Sequence, residues 1–157
     1  MRAPHRAPLL APALVSVLAV GLFGAAPLWA GEMTLPTLYT LHCSGCHGEA
    51  GHGVPASGVP DLHDAGSYVV LPAGRSYLVS VPGLAQSSLD DATAARILNY
   101  ILRRFSADRL PADFAPYTTA EVTRLRTDVA SDAETRRRRI LSDLKAAGLL
   151  PRDYTAP

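Results

Sequence analysis

The residues best able to do chemistry lie together in Cys43-Ser44-Gly45-Cys46-His47, a C-x-x-C-H segment. Two thiols three positions apart stand one above the other on a helical turn, so both can add to the two vinyl groups of one porphyrin. His47, the next residue, is then carried under the iron as an axial ligand. This spacing is the attachment signature of c-type haem, one group held covalently. A structural zinc site would use the same cysteines with two of His42, His52 and His63. Such sites usually show a second pair of ligands at short spacing, and this chain has no second pair. A thioredoxin-type dithiol would follow a strand in a βαβ pattern. Here a short helical stretch precedes the motif and a Gly/Pro-rich loop follows it.

The elements that must position the motif can be read from caps and periodicity. Residues 35–47 are expected to form one helix, with Thr34 as cap, Pro36 in the first turn, and Leu38, Tyr39 and Leu41 as packing residues. Residues 48–66 hold five glycines and two prolines without a helical period, so they are expected to form a loop over the haem edge. A shorter helix or turn is expected over 73–80. The clearest helix is 89–105, where Ser88 and Asp91 make a capping-box pattern. Along it Ala94, Ile97, Leu98, Ile101, Leu102 and Phe105 repeat at helical spacing.

Two more helices are expected over 118–147, with capping patterns at Thr118/Glu121 and Ser131/Glu134. Val122, Leu125 and Val129 make one apolar stripe; Ile140, Leu141, Leu144 and Ala147 make another. Gly148 and Pro151 are expected to stop the last helix.

With its elements in this order, the stretch from about 34 to 105 resembles a class I cytochrome c domain. It shows a helix bearing Tyr39, the Cys43–His47 motif followed by Gly48, a Gly-rich loop and a last helix. The run Gly58-Val59-Pro60-Asp61-Leu62 is similar to the family's loop segment. The resemblance implies that Pro60 supplies a carbonyl to the axial histidine, that Leu62 packs on the haem, and that 89–105 crosses the first helix. The expected architecture is all-α: a cytochrome c-like helical domain over 31–106 around one covalently attached haem c, plus a helical C-terminal extension over 107–157. A domain of about 70 residues is small for an apolar core of its own, so the porphyrin is expected to supply part of it. The haem-free chain should fold poorly.

The far side of the iron departs from the family. Where a member would show Met-Pro before its last helix, this chain has Val81-Pro82-Gly83-Leu84, and its two methionines are Met1 and Met33. Met33 lies ten residues ahead of Cys43. His42, His52, His63 and Lys145 are the other available donors. Two states stay open: a five-coordinate iron with an apolar distal pocket, or a six-coordinate iron with an unexpected ligand.

Residues 1–30 are different material. Arg2, His5 and Arg6 make a basic start, the run from Leu9 to Ala30 carries no charge, and Leu28-Trp29-Ala30 ends in a small residue. That is the layout of a secretory signal, expected to be cleaved after Ala30. The alternative is a retained membrane anchor, since 22 uncharged residues could span a bilayer, although Pro12 and Pro27 shorten the unbroken apolar part. Either outcome exports the rest, to the periplasm in the cleaved case.

Charge and composition narrow the function further. With 15 basic and 14 acidic residues, the chain has no polycationic character that would argue for a nucleic-acid partner. At 48% hydrophobic and 18% charged, it is neither disordered nor a coiled coil. Two cysteines cannot build a disulfide framework. Residues 31–102 hold two basic and six acidic groups, and 103–157 hold eleven basic and eight acidic, so charge is split along the chain. Arg136 to Arg139 read as a solvated helix face, except that Arg137 precedes Ile140, Leu141 and Leu144 on the apolar stripe. It must snorkel or find an acid, such as a haem propionate, Asp90 or Asp91.

The function expected is that of a single-electron carrier, not an enzyme, exchanging electrons with a periplasmic redox protein such as a dehydrogenase or a terminal oxidase. No membrane contact is expected unless the leader is kept as an anchor. The competing expectation is a five-coordinate haem protein that binds NO or CO. A peroxidase-like activity would want a distal acid/base pair, and only His63 is available.

Overall fold

The computed structural model describes residues 32–150, and among them the regular elements are helical, with one isolated antiparallel bridge between Val54 and Val59. The expected leader over 1–30 and the expected stop at Pro151 lie outside the described residues. Helix α1, Leu35–His42, starts where Thr34 Oγ1 accepts the Thr37 N–H at 3.4 Å, with proline in its first turn. The single helix expected over 35–47 is two pieces. Cys43 leaves helical geometry at φ −127°, and α2, Ser44–His47, follows it. No residue of α2 is buried, so packing does not enforce continuity across Cys43.

The stretch 48–66 is more ordered than a loop. It contains tight turns at Pro55–Ser57 and Leu62–Asp64, and its end enters α3, Ala65–Tyr68, all four residues of which are buried. Four residues are too few to show a period, which is why the pattern gave no sign of α3. Helices α4, Pro72–Ser80, and α5, Pro82–Ala85, both open on a proline.

Helix α6, Asp91–Phe105, organises the core. Its cap is Asp90, whose carboxylate takes the Thr93 N–H and hydroxyl, both at 2.8 Å, so the capping box expected from Ser88 does not form. One flank of α6 packs Ile97, Ile101 and Phe105 against Leu38 and Tyr39 of α1. The other packs Ala94, Ala95, Leu98 and Leu102 against Ala65, Val69, Val79, Tyr117 and Val122.

Helix α7, Thr119–Leu125, is capped by Thr118, which accepts the Glu121 N–H at 3.2 Å. Helix α8, Ala133–Ala146, is capped by Asp132 through Thr135 N at 2.9 Å, in place of the expected Ser131. Val122 of α7 is fully buried on α6, whereas Val129 is exposed and lies off the stripe. Ile140 and Leu144 of α8 pack on Tyr68 and Tyr77, whose rings stack with centroids 5.7 Å apart. The residues past 106 thus share a core with those before it, and Glu32 onward clusters as one unit. The acid offered to Arg137 at Asp91 is taken by Arg126 at 2.9 Å, and the neighbouring arginines pair locally, Arg136 with Asp128 and Arg138 with Glu134.

A second tie across the two halves runs through Arg75, which donates from Nε and Nη2 to the two Glu121 oxygens, each at 2.8 Å, and lies 4.1 Å over the Tyr117 ring. These hydrogen bonds hold the Glu121 carboxyl below the usual carboxylate range. Because the folded pKa is depressed, the pairing stabilises the fold above the unfolded value of about 4.3 and fades as pH falls through the lower folded one. Glu121→Gln should therefore lower stability at neutral pH by about 1–3 kcal/mol. Denaturation across pH should show the gap between wild type and variant closing below about pH 4; a gap independent of pH would reject this account.

Candidate functional site

His47 closes α2, and its Nδ1 lies 3.1 Å from the carbonyl oxygen of Pro60. A carbonyl only accepts, so Nδ1 carries the proton and the Nε2 lone pair is left free. Burial is the largest influence on this imidazole and lowers its pKa; the Pro60 hydrogen bond and the Asp61 charge push back without restoring it. His47 is therefore neutral at pH 7, as a metal-ligating imidazole must be.

Pro60 arrives through a close return of the backbone. Gly53 N donates to His47 O at 2.9 Å, Leu62 N donates to Gly51 O at 2.8 Å, and Val54 bridges Val59. Gly53 has φ +65°, and a Cβ there would stand 2.5 Å from Pro60 O and 2.6 Å from Val59 O. A side chain at this position would push away the carbonyl that His47 needs. Tyr39 Oη fixes the other end of the turn by donating to Gly48 O at 2.5 Å.

Cys43 is half-buried and Cys46 exposed, and neither is in a disulfide. Cys43 packs on the same apolar cluster as Leu62, formed by Leu38, Tyr39, Ile97, Ile101 and Phe105. Burial, and then the neighbouring Cys46, push the Cys43 thiol up to about 11. A redox dithiol needs the opposite, a thiol pushed toward thiolate, so this environment argues against thioredoxin-type exchange. Nor does either cysteine belong to a trio of potential metal ligands; among the described residues the one such trio is His52, Asp61 and His63. The large exposed hydrophobics Met33, Leu41 and Val54 all lie within ten residues of the motif in sequence. Two thiols at helical spacing, a neutral imidazole with a free Nε2 and flanking apolar residues fit a covalently attached haem.

The other candidate donors are distributed as follows. His52 Nδ1 is 3.1 Å and His63 Nδ1 2.6 Å from the Asp61 carboxylate, which ties both to the loop on the Nδ1 side of His47. Burial acts to raise the Asp61 carboxyl, but the hydrogen bonds from His63 and His52 outweigh it and hold it below the ordinary range. His42 and Lys145 are exposed. Met33 is half-exposed and lines a cavity of 320 Å³ with Leu38, His42 and Leu89. Val81 packs on the Tyr68, Tyr77, Ile140 and Leu144 cluster, toward α8. Leu84 and Leu89, further along, pack on the cluster that holds Cys43 and Leu62.

The segment 84–89 is held by a residue that pattern reading missed. Arg126, 13% exposed, donates to the carbonyls of Leu84 (3.1 Å), Ala85 (3.1 Å), Ser87 (2.6 Å) and Leu89 (2.6 Å), and to Asp91 (2.9 Å). A signal was present: Arg126 follows buried Val122 by four positions and so shares its helix face. Arg126 is one of eleven basic residues past position 102, and no cap or run singles it out.

No protein-family model matches the chain, and no curated protein matches it.

Removing the Arg126 guanidinium would take one donor from four carbonyls and a carboxylate at once. Arg126→Ala is expected to cost about 3 kcal/mol and to raise amide exchange over 84–89 more than elsewhere. Arg126→Lys should recover only part, since three donors on a flexible stem cannot reproduce the planar fork. An unchanged melting temperature in Arg126→Ala would refute the clamp.

Proposed function

We propose that this chain is an exported monohaem cytochrome of the c type, related in its first helical part to class I cytochromes c. In this reading it carries single electrons to or from a periplasmic redox protein such as a dehydrogenase or terminal oxidase. The observation that carries the reading is the C-x-x-C-H segment whose histidine gives its Nδ1–H to the Pro60 carbonyl at 3.1 Å. Attached through Cys43 and Cys46, the haem supplies a one-electron couple at its iron.

The protein's part is binding, orientation and electrostatics. Pro60 fixes the ring and tautomer of His47 and, by accepting Nδ1–H, makes Nε2 the stronger donor. Burial keeps that ring unprotonated. Leu62 and Phe105 supply apolar wall beside Cys43. The charge split between 31–102 and 103–157 suits a weak encounter with a charged partner, steered at long range and sensitive to salt. The uncharged run from Leu9 to Ala30 supports export, which covalent haem attachment requires.

One observation favours a second reading, an open iron that binds NO or CO. His52 and His63 are engaged with Asp61, and Val81, standing where the resemblance calls for methionine, has no donor atom to offer.

Produced with a c-type maturation system, the chain should gain the mass of one haem, and the haem should resist acid–acetone extraction. The Cys43→Ala, Cys46→Ala variant should lose it and show no cooperative thermal transition. Haem that extracts completely would sink the proposal. The ferric protein should give a high-spin electron paramagnetic resonance signal at neutral pH. A low-spin signal that becomes high-spin in Met33→Leu would instead assign the sixth position to Met33 and set aside the gas-binding reading.

A further inference from the structure

We infer that His52, Asp61 and His63 form a separate site for one divalent cation of the Zn²⁺, Cu²⁺ and Ni²⁺ class. One nitrogen from each imidazole and one carboxylate oxygen lie within 4.8 Å of one another. The two rings stack nearly parallel, with centroids 4.7 Å apart and planes 21° apart, and both turn Nδ1 to the same carboxylate. Hydrogen bonding to Asp61 alone does not call for this pairing. Asp61 already accepts the His63 N–H at 2.8 Å and the His63 ring, whereas the His52 side chain is 69% exposed and could be solvated instead. Its convergence on the others produces two neutral nitrogen donors and one anionic oxygen, the ligand mixture that borderline divalent metals take and that Mg²⁺ and Ca²⁺ do not.

The backbone pre-forms this trio. His52 sits between Gly51 and Gly53, with φ of +80° and +65°. A Cβ on Gly51 would stand 2.8 Å from the Phe105 ring, and one on Gly53 would meet Pro60 O. The 51–53 strand of the return therefore lies hard against 59–62, fixed by the Leu62 N to Gly51 O hydrogen bond of 2.8 Å. That contact brings His52 to Asp61 across nine residues. Phe105 supports the inner ring of the pair, His63, in an edge-to-face contact with centroids 5.8 Å apart.

Without a cation, each imidazole carries its proton on Nδ1 and gives it to Asp61. On binding, the proton of each ring moves to Nε2, the two Nδ1 lone pairs turn to the metal, and the cation takes the place the two protons held. Neither ring loses a net proton. Three protein ligands leave a fourth tetrahedral position for water, so the cation should be exchangeable. The trio shares no ligand with Cys43, Cys46 or His47, so cation binding does not compete with haem attachment.

The test is calorimetric titration of the purified chain with Zn²⁺, compared with His52→Gln, Asp61→Asn, His63→Gln and His42→Gln. One equivalent should bind to wild type, with affinity reduced at least about tenfold in the first three variants and unchanged in His42→Gln. His52→Gln is decisive, since so exposed a side chain can be changed without risk to folding. Asp61→Asn keeps an oxygen for the His63 N–H. No heat beyond dilution at millimolar Zn²⁺ would overturn the inference, as would binding that survives all three substitutions. Haem content, read from the absorbance of the same samples, judges the electron-transfer reading separately.

Discussion

Burial along both flanks of α6 is the constraint on which the rest of the structure depends. A helix that buries seven of its fifteen residues cannot be satisfied by one neighbour. On one side Ile97, Ile101 and Phe105 take α1, and so fix the approach to the Cys43–His47 turn. On the other, Ala94, Leu98 and Leu102 take α3, α4 and the Tyr117–Val122 segment. Small residues at 94 and 95 let that second layer come close. The motif is thus placed from beneath, by apolar contacts of α1 and Leu62 on α6, while α2 has no fully buried residue and only half-buries His47.

The second constraint is local and concerns the backbone alone. Once the chain leaves α2 with Gly48 at φ +71°, it must come back to offer a carbonyl to His47 within thirteen residues. Doing so brings 51–53 so near 59–62 that no β-carbon fits at 53, and the Leu62 N–H pairs with the buried Gly51 carbonyl. One geometric solution then has two consequences. Pro60 O meets His47 on one side of the return, and His52 meets Asp61 and His63 on the other.

Much of this was legible in residue types. The apolar repeat of α6 and the Thr118 cap are local signals that mark real elements, whereas the single helix expected over 35–47 breaks at Cys43. Of the two contacts carried over by resemblance, the Pro60 carbonyl does stand 3.1 Å from His47 Nδ1, while the packing of Leu62 on a haem belongs to the proposal. What could not be read had physical reasons. Asp90 and Asp132, two residues past Ser88 and one past Ser131, outcompete them as caps because a carboxylate there can take an amide and, at Asp90, a hydroxyl together. α3 and α5 are too short for periodicity. Tyr117 is buried through a reciprocal amide pair with Asn99, 2.8 Å each way, a partnership eighteen residues long that no local pattern encodes. The Arg126 clamp is a convergence of carbonyls, and carbonyls leave no trace in side-chain identity.

The missing distal methionine and the C-terminal extension then look like two sides of one rearrangement. Where the resemblance calls for methionine, Val81 is drawn into the cluster made by Ile140 and Leu144 of α8. The residues that follow, 84–89, are held by Arg126, which donates to four of their carbonyls. This charge-assisted network organises the segment from the residues past 106. On the haem reading, the extension therefore holds the stretch that follows the position of the family's methionine. Leu84 and Leu89, in the segment it holds, are apolar and pack on the cluster of Leu38, Tyr39, Ile97, Ile101 and Phe105.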